Sequence, residues 1–584
     1  MNSNQYDIIV IGAGHAGCEA ALASSRMGLS TLLVTMKLDS VAKMSCNPAI
    51  GGLAKGQIVR ELDALGGEMA KITDRAGLQF RMLNLSRGPA VWSPRAQCDK
   101  QLYSNYMRKT LEAQENLELR EGEAVALLSS GGKVAGIELK TGEKISAQTV
   151  VITTGTFLRG LIHLGLTNFP GGRFDEPAAE GLSASLISHG LEVKRLKTGT
   201  PPRIDGNTID FSKMAVQPGD EPPMPFSHFT DIKKWRLEKK QLPCWLTYTN
   251  TRTHEAIRKN MDRSPLYSGV IKSVGPRYCP SIEDKVVRFA QRDRHQVFLE
   301  PEGYDTVEFY ANGISTSLPE DVQEEIVHSI EGLENARILK YGYAIEYDYC
   351  PPVQLKPSLE TKPLENLFLA GQINGTTGYE EAAAQGFMAG VNACLKIKAR
   401  EAFVLDRSQA YIGVLIDDLV TKGVDEPYRM FTSRSEYRLI LRNDNADLRL
   451  MDLGRGLGLI SDSHHESFNL YRQTVNSIYE GKAGACDEEK LKPWTWEQAE
   501  LEAQIEKKYS GYINRQKAQV EKAKKMSEKR IPETFDYNKI PSLLTETRQK
   551  LNKVRPATLG QASRVSGVTP ADMAIILIYL QKGK

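Results

Sequence analysis

Apolar residues gather in short runs that end in glycine, and three such runs set the expected framework. Ile8 to Ile11 predict a buried strand. Gly12, Gly14 and Gly17 follow it, then a small-residue stretch predicted helical from Cys18 to Met27, then a second strand over Thr31 to Thr35. Val150 to Gly155 and Leu367 to Gly375 repeat the strand-into-glycine pattern, and the second of these enters a Gly- and Ala-rich helix start. Short apolar runs bounded by glycine read as core strands. Residues 1 to about 203 alternate strand and helix until Pro201-Pro202 breaks the rhythm. Residues 204 to 344 are irregular, with Pro218, Pro222, Pro223 and Pro225 close together and strand-like pieces near Val297 and Val307. From Ala410 onward the pattern is mostly helical.

The first glycines carry chemistry. At G-x-G-x-x-G spacing between a strand and a helix, they allow a tight turn, close backbone approach to a pyrophosphate, and close helix–strand packing. The helix N-terminus then faces the phosphates with its positive end. The acidic residue that usually ends the second strand is missing, since Thr35 and Met36 stand there. Asp39, slightly further on, is the candidate substitute. The late strand ending in Gly371-Gln372 favours FAD, because glutathione-reductase-type flavoproteins are similar here with Gly-Asp, and Gln also hydrogen-bonds a hydroxyl.

Charge and cysteine usage narrow the class. The 584 residues carry 75 Lys plus Arg against 72 Asp plus Glu, a net charge of +3, so global charge says nothing about nucleic acid. Lys507 to Arg530 differs locally, with nine basic residues against two Glu. Ile505, Tyr509, Tyr512 and Val520 fall at helical spacing there, with polar Gln516 interrupting, giving one largely apolar face and a basic remainder. This is a solvated surface helix or a phosphate-binding face. No apolar run reaches a membrane span, and the chain enters a strand without a signal-peptide pattern. The eight cysteines include no C-x-x-C, so a disulfide framework, zinc ribbon or thioredoxin-type pair is not expected, and no metal site is. A cytoplasmic setting with reduced thiols follows. Cys18, Cys98, Cys244, Cys350, Cys394 and Cys486 read as small buried residues. Cys46 lies in Ser45 to Gly52, and Cys279 in Gly275 to Lys285 beside Arg277 and Lys285; both segments are polar and rich in Gly or Pro. Neighbouring cations favour a reactive thiolate.

The chain resembles the MnmG (GidA) family nearly end to end. The resemblance rests on Gly12 to Gly17, Ser45 to Gly52, Gly275 to Lys285, Asn312 to Pro319 and Gly371 to Glu381. It continues through Phe431 to Arg438, Asp444 to Asp447, and Arg555 to Ser563 leading into Gly567 to Pro570. Ser435 is a small departure, where the family usually has Ala.

This resemblance implies an FAD-dependent enzyme. With the GTPase MnmE, it places an aminomethyl or carboxymethylaminomethyl group on carbon 5 of the tRNA wobble uridine. Methylenetetrahydrofolate supplies the carbon, glycine or ammonium the amine, and NADH the electrons. A homodimer that joins MnmE in a heterotetramer is expected. Carried over by motif, FAD contacts fall at Gly12, Ala13, Gly14, His15, Ala16, Gly17, Val125, Ser183 and Gln372. The NAD segment covers Gly275, Pro276, Arg277, Tyr278, Pro280, Ser281, Ile282, Glu283, Asp284, Lys285 and Phe289. Cys46 and Cys279 match the family's functional cysteines. Arg434, Arg438 and Arg442 join the basic helix as candidates for an RNA groove. The implied fold is α/β: a Rossmann-like FAD-binding domain of glutathione-reductase type over 1–203 and 345–404, interrupted by an inserted α/β domain over 204–344 associated with NAD(H). A helical C-terminal domain over 405–584 would serve tRNA and partner binding. Ser542 to Lys584 is expected to dock the GTPase or to form its own core. Two rival classes fit less well: the shorter tRNA uridine methyltransferase TrmFO, and a flavin disulfide reductase. An RNA-binding scaffold with structural FAD is the non-enzymatic alternative.

Overall fold

The computed structural model describes residues 5–278, 280–482, 488–527 and 529–582. Its framework is a seven-stranded sheet around Gln5–Ile11. That strand pairs in parallel with Thr31–Thr35 on one side and Lys144–Ile152 on the other, and Leu117–Glu121 extends the sheet beyond Thr31–Thr35. The first half of Lys144–Ile152 pairs with Lys133–Leu139, which forms a hairpin with Ala124–Ser130. Its second half pairs in parallel with Leu367–Leu369, so the late apolar run rejoins the first sheet. Ile8, Ile9 and Val10 are fully buried, as a strand covered on both faces requires.

The helix after the glycine turn spans His15–Arg26, so it starts three residues before the expected Cys18. Gly17 lies inside its first turn, and the turn and helix form one unit. This helix packs on Tyr379–Ile397, the helix that follows the late strand. A Cβ on Gly386 or Gly390 would strike the backbone carbonyl of Ala16 or Ala20. The two small-residue runs therefore bring the helix axes close.

Pro201-Pro202 marks a change of sheet. Lys194–Thr200 belongs to a four-stranded antiparallel sheet with Tyr343–Tyr349, Leu161–Leu164 and Thr167–Pro170. Arg203–Asp205 belongs to a six-stranded antiparallel sheet, ordered Ala215–Gln217, Cys244–Tyr248, Gln296–Pro301, Glu308–Asn312, Arg203–Asp205, Ile338–Lys340. Two prolines without N–H groups cannot continue a ladder, and the chain crosses between sheets there.

Beyond Tyr411–Lys422 the chain is helical, with Trp496–Ser527 the longest helix at 32 residues. Ala499, Ala503, Ile505 and Ile513 are buried along it. Tyr512, expected on that face, is 59% exposed; one residue is 100° of helix, and Ile513 takes the inward place. The terminal helix Pro570–Lys582 buries Ile576 in a cluster with Leu551, Val554 and Leu559. Its apolar side thus forms part of its own bundle core, with Ile578 left exposed. Among the described residues, no helix is long and apolar enough to cross a membrane.

Candidate active site

A cavity of about 450 Å³ opens at the C-terminal ends of the parallel strands, where open α/β sheets place their ligands. Its walls include Ile11 to Ala16, Val34 to Lys37, Thr153 to Phe157 and Gln372. Gly12 has φ +98°, and a Cβ there would lie 2.6 Å from the carbonyl oxygen of Thr153. A Cβ at Gly14 would meet nothing within 4 Å. No side chain caps the His15–Arg26 helix, and its first turn carries no acidic residue. Its N-terminal amides are therefore suited to a phosphate. His15 Nε2 and Thr154 Oγ1 are buried without a hydrogen-bond partner among the described residues, and both residues line the cavity. Burial also pushes His15 down to about 4, so its ring is neutral near pH 7. A glycine turn with free space at Gly14, orphaned polar atoms and an uncapped helix end fit a dinucleotide.

Cys46 also lines the cavity, half-buried. Its N–H donates to Tyr379 Oη at 2.8 Å. His15 stacks on Tyr379 at 4.4 Å between ring centres, which ties the glycine turn to the Cys46 loop. The carbonyls of Ser45 and Cys46 both accept from Arg203 Nη2, at 3.1 and 3.0 Å. Cys46 Sγ lies 3.4 Å from Tyr310 Oη. Burial opposes the charge on Arg203, but Glu302, Tyr310 and Cys46 outweigh it and keep the guanidinium protonated.

The same loop is braced on its far side. Gly51 N–H donates to Glu380 Oε1 at 2.6 Å, and Lys55 Nζ bridges Glu380 and Glu381 at 2.9 and 3.4 Å. Glu381 in turn accepts from Met430 N–H at 3.0 Å. Buried carboxylates need such partners, and here they tie the loop to the helix after the late strand.

Of the residues expected to bind cofactor, Gly12, Ala13, Gly14, His15, Ala16, Gln372 and Pro276 line the cavity, together with Cys46. Gly17 lies beneath, against Gly12 and Thr153. Val125 packs under Gly181, and Ser183 is buried with its hydroxyl unpartnered among the described residues. Gly275 rests against the Lys197 side chain, Arg277 stacks near Tyr278, and Tyr278 packs on Phe431. After Pro280, Ser281 caps the short helix Ile282–Arg288. Ile282 is buried in the core cluster with Val297 and Leu299 of the six-stranded sheet, Glu283 is buried beside it, and neither lines the cavity; Glu283 accepts from Thr316 Oγ1, and burial pushes it up. Asp284 accepts from Tyr267, Lys285 donates to Gly313 O at 2.7 Å, and Phe289 is exposed. Cys279 and Cys486 lie outside the described residues. Asp39 pairs with Arg108 on the open surface, while Thr35, Met36 and Glu123 line the cavity. Cys18, Cys98, Cys244, Cys350 and Cys394 are buried, and burial pushes Cys98, Cys244 and Cys350 up to about 12.

Arg442 corrects the expected RNA groove. It is fully buried and paired with Asp444, Glu502 and Glu506, so it is a structural cation. Arg438 is exposed, and Arg434 lies over the Tyr428 ring. Lys507, Lys508, Arg515, Lys517, Lys522 and Lys524 are exposed along the long helix.

The family model described as "Glucose inhibited division protein A" matches residues 7–401, and "tRNA modifying enzyme MnmG/GidA C-terminal helical bundle" matches residues 519–584. A protein of Endomicrobium trichonymphae, "tRNA uridine 5-carboxymethylaminomethyl modification enzyme MnmG", is 58% identical over 582 residues, covering 99% of this chain and 98% of that one. Its namesake from Geobacter sulfurreducens is 54% identical over 617 residues, with coverage of 99% and 98%. The solved structure of Aquifex aeolicus GidA in its form I crystal superposes with a TM-score of 0.91 at 49% identity, covering 99% of this chain and 100% of that one.

Proposed function

We infer the function from one premise: the chain belongs to the MnmG/GidA family of FAD-dependent tRNA-modifying enzymes. Its reaction is 5-carboxymethylaminomethyl modification of a tRNA uridine. Beyond that, we propose that the cavity holds FAD, with the pyrophosphate on the glycine turn and the His15 helix, and the ribityl chain near Gln372. FAD supplies the redox chemistry when bound, with NADH as its reductant and Gly275 to Phe289 as the NAD(H)-associated segment. Methylenetetrahydrofolate and glycine or ammonium complete the substrates. A homodimer working with the GTPase MnmE in the cytoplasm completes the reading. The C-terminal bundle is proposed to supply part of the MnmE surface, through faces left outside its own core.

The observation that carries this reading is Cys46, held by its peptide and its thiol in the cavity that the glycine turn also lines. Carbon 5 of uracil is a weak nucleophile. A cysteine thiolate that adds at carbon 6 pushes the ring electrons toward the carbon 4 oxygen and makes carbon 5 enolate-like. Cys46 and Cys279 are the proposed thiols. The uridine has to leave its stack to reach them.

Two experiments test the reading. Mass spectrometry of tRNA nucleosides from cells lacking the protein should show loss of the modified wobble uridine; unchanged levels would overturn the assignment. Gly14→Phe tests the FAD site. Gly14 has φ −72° and open space at its Cβ position, so the side chain adds no backbone strain and enters the cavity. A folded, colourless protein is expected, with FAD affinity lowered at least about a hundredfold. Full yellow colour in that variant would remove the glycine turn from the flavin site.

The basic helix is proposed to bind tRNA. Charge reversal of Lys517, Lys522 and Lys524 together should flatten the dependence of tRNA affinity on salt, by about one unit of slope per lost phosphate contact. An unchanged slope would return the helix to a solvated surface.

A further inference from the structure

Arg203 and Tyr310 come from the six-stranded sheet, yet both reach the Cys46 loop. They are direct cross-strand partners in the pair Arg203–Asp205 and Glu308–Asn312. The guanidinium lies over the Tyr310 ring, 4.8 Å from its centre. Arginine has five N–H donors, and Arg203 uses all of them. Nε donates to Glu302 at 3.0 Å, and Nη1 donates to Thr200 Oγ1 at 2.6 Å and Pro201 O at 2.7 Å. Nη2 takes the carbonyls of Ser45 and Cys46. A buried fork with every donor satisfied has one low-energy orientation.

The Cys46 peptide is thus fixed at both ends. Tyr379 holds its N–H and Arg203 holds its carbonyl. The side-chain torsion remains, and Tyr310 Oη meets Sγ. We propose that Tyr310 is a further catalytic residue, donating its hydroxyl hydrogen bond to the Cys46 thiolate, with Arg203 as the positioning residue that keeps the two in register. The inference rests on the reading that Cys46 reacts.

The physical case has two parts. A hydrogen bond donated to the charged form favours that form. A cation nearby acts in the same direction. Around the thiol stand Arg203, Tyr310, Tyr343 and Tyr379, with Arg173 beyond the tyrosines; Glu302 balances Arg203 from behind. Burial pushes Tyr343 and Tyr379 up, so both are neutral hydroxyls. Tyr379 Oη accepts from the Cys46 amide, while Tyr310 Oη lies 3.4 Å from Sγ, which also lies 4.0 Å from the Gly199 carbonyl oxygen. Holding the attacking sulfur in one rotamer also lowers the entropy cost of reaching the uracil ring.

Tyr310→Phe removes only the hydroxyl and keeps the ring under Arg203. In the full-length protein, three quantities decide the case: FAD content with NADH-driven bleaching, the pH profile of Cys46 alkylation by iodoacetamide read on the Cys46 peptide, and tRNA-modification turnover. The expected result is unchanged FAD and bleaching, an alkylation midpoint raised by about one pH unit, and turnover lowered roughly tenfold or more. An unmoved midpoint would overturn the proposal. Loss of FAD would equally overturn it, since Tyr310 would then be a structural residue. Cys46→Ser run alongside separates the two levels. Full modification by that variant sinks the role of Cys46, whereas the alkylation profile judges the hydrogen bond by itself.

Discussion

Cys46→Ser is expected to yield a yellow protein whose tRNA modification falls at least about a hundredfold, because a hydroxyl is far less nucleophilic than a thiolate at neutral pH. The flavin should stay, for a geometric reason. Tyr379 and Arg203 hold the backbone of residue 46, not its side chain, and serine preserves both bonds. The substitution leaves the residues of the glycine turn unchanged. NADH should therefore bleach the variant as it does the native protein. Cys279→Ser is expected to behave alike, on the strength of its motif. The measurement is liquid chromatography of tRNA nucleosides beside a flavin spectrum of the same sample. Native levels of the modified uridine in either variant would remove that cysteine from the reaction. Loss of flavin from Cys46→Ser would show instead that the loop shapes the FAD pocket.

Much of this site was legible because its signals are local. Gly12 to Gly17 sit within one turn, and each glycine has a reason visible at short range. The three apolar runs were legible because a strand buried on both faces must be apolar throughout. What escaped the sequence depends on distance. Arg203 stands 157 residues from Cys46, and Tyr310 stands 264 away. Nothing near either marks it, since an arginine after two prolines and a tyrosine in a strand are common. Only the pairing of their strands brings both to the loop. The lysine at 55 and the glutamates at 380 and 381 are hidden for the same reason, being 325 residues apart along the Lys55–Glu380 pair.

Two misreadings have equally plain causes. The buried side of the long helix was assigned by spacing alone, and a tyrosine fits an inward position as well as an isoleucine does. Tertiary packing chose Ile513. Arg442 is a candidate for the RNA groove, with Arg434 and Arg438, only because it is a cation. Its carboxylate partners Glu502 and Glu506 lie 60 and 64 residues later, beyond the reach of any local pattern.

Arg442→Met is accordingly expected to destabilise the helical region by about 3–5 kcal/mol, the usual cost of removing one partner from a buried ion pair. In the native protein Arg442 donates to Asp444 at 2.8 Å, Glu502 at 2.5 Å and Glu506 at 3.0 Å, and to Leu439 O at 2.9 Å. It pins the Leu439–Asp444 loop to the long helix. Methionine fills similar space but leaves these carboxylates facing one another. The pH dependence follows. Burial, then Asp444, pushes Glu502 up even with the arginine present. Burial also opposes ionisation of Asp444, but Arg442 outweighs it and holds Asp444 down. Without Arg442, Asp444 joins Glu502 in having a folded-state value above its unfolded one. A raised carboxyl contributes stability below the unfolded value, near 4, and loses it as pH rises through the folded value. In the native protein the lowered Asp444 contributes stability that is in place above about 4 and is lost only as pH falls through its folded value. The gap between native and variant should therefore be smallest near pH 4 and widen toward pH 8 as the raised carboxyls of the variant lose their contribution. Thermal unfolding followed by helical circular dichroism at both pH values measures it. A gap that is equal at the two pH values would sink the charge argument, and no loss at either would mean that packing alone holds the loop. Below the melting transition, the folded variant should keep the native salt dependence of tRNA binding, since a fully buried guanidinium meets no phosphate.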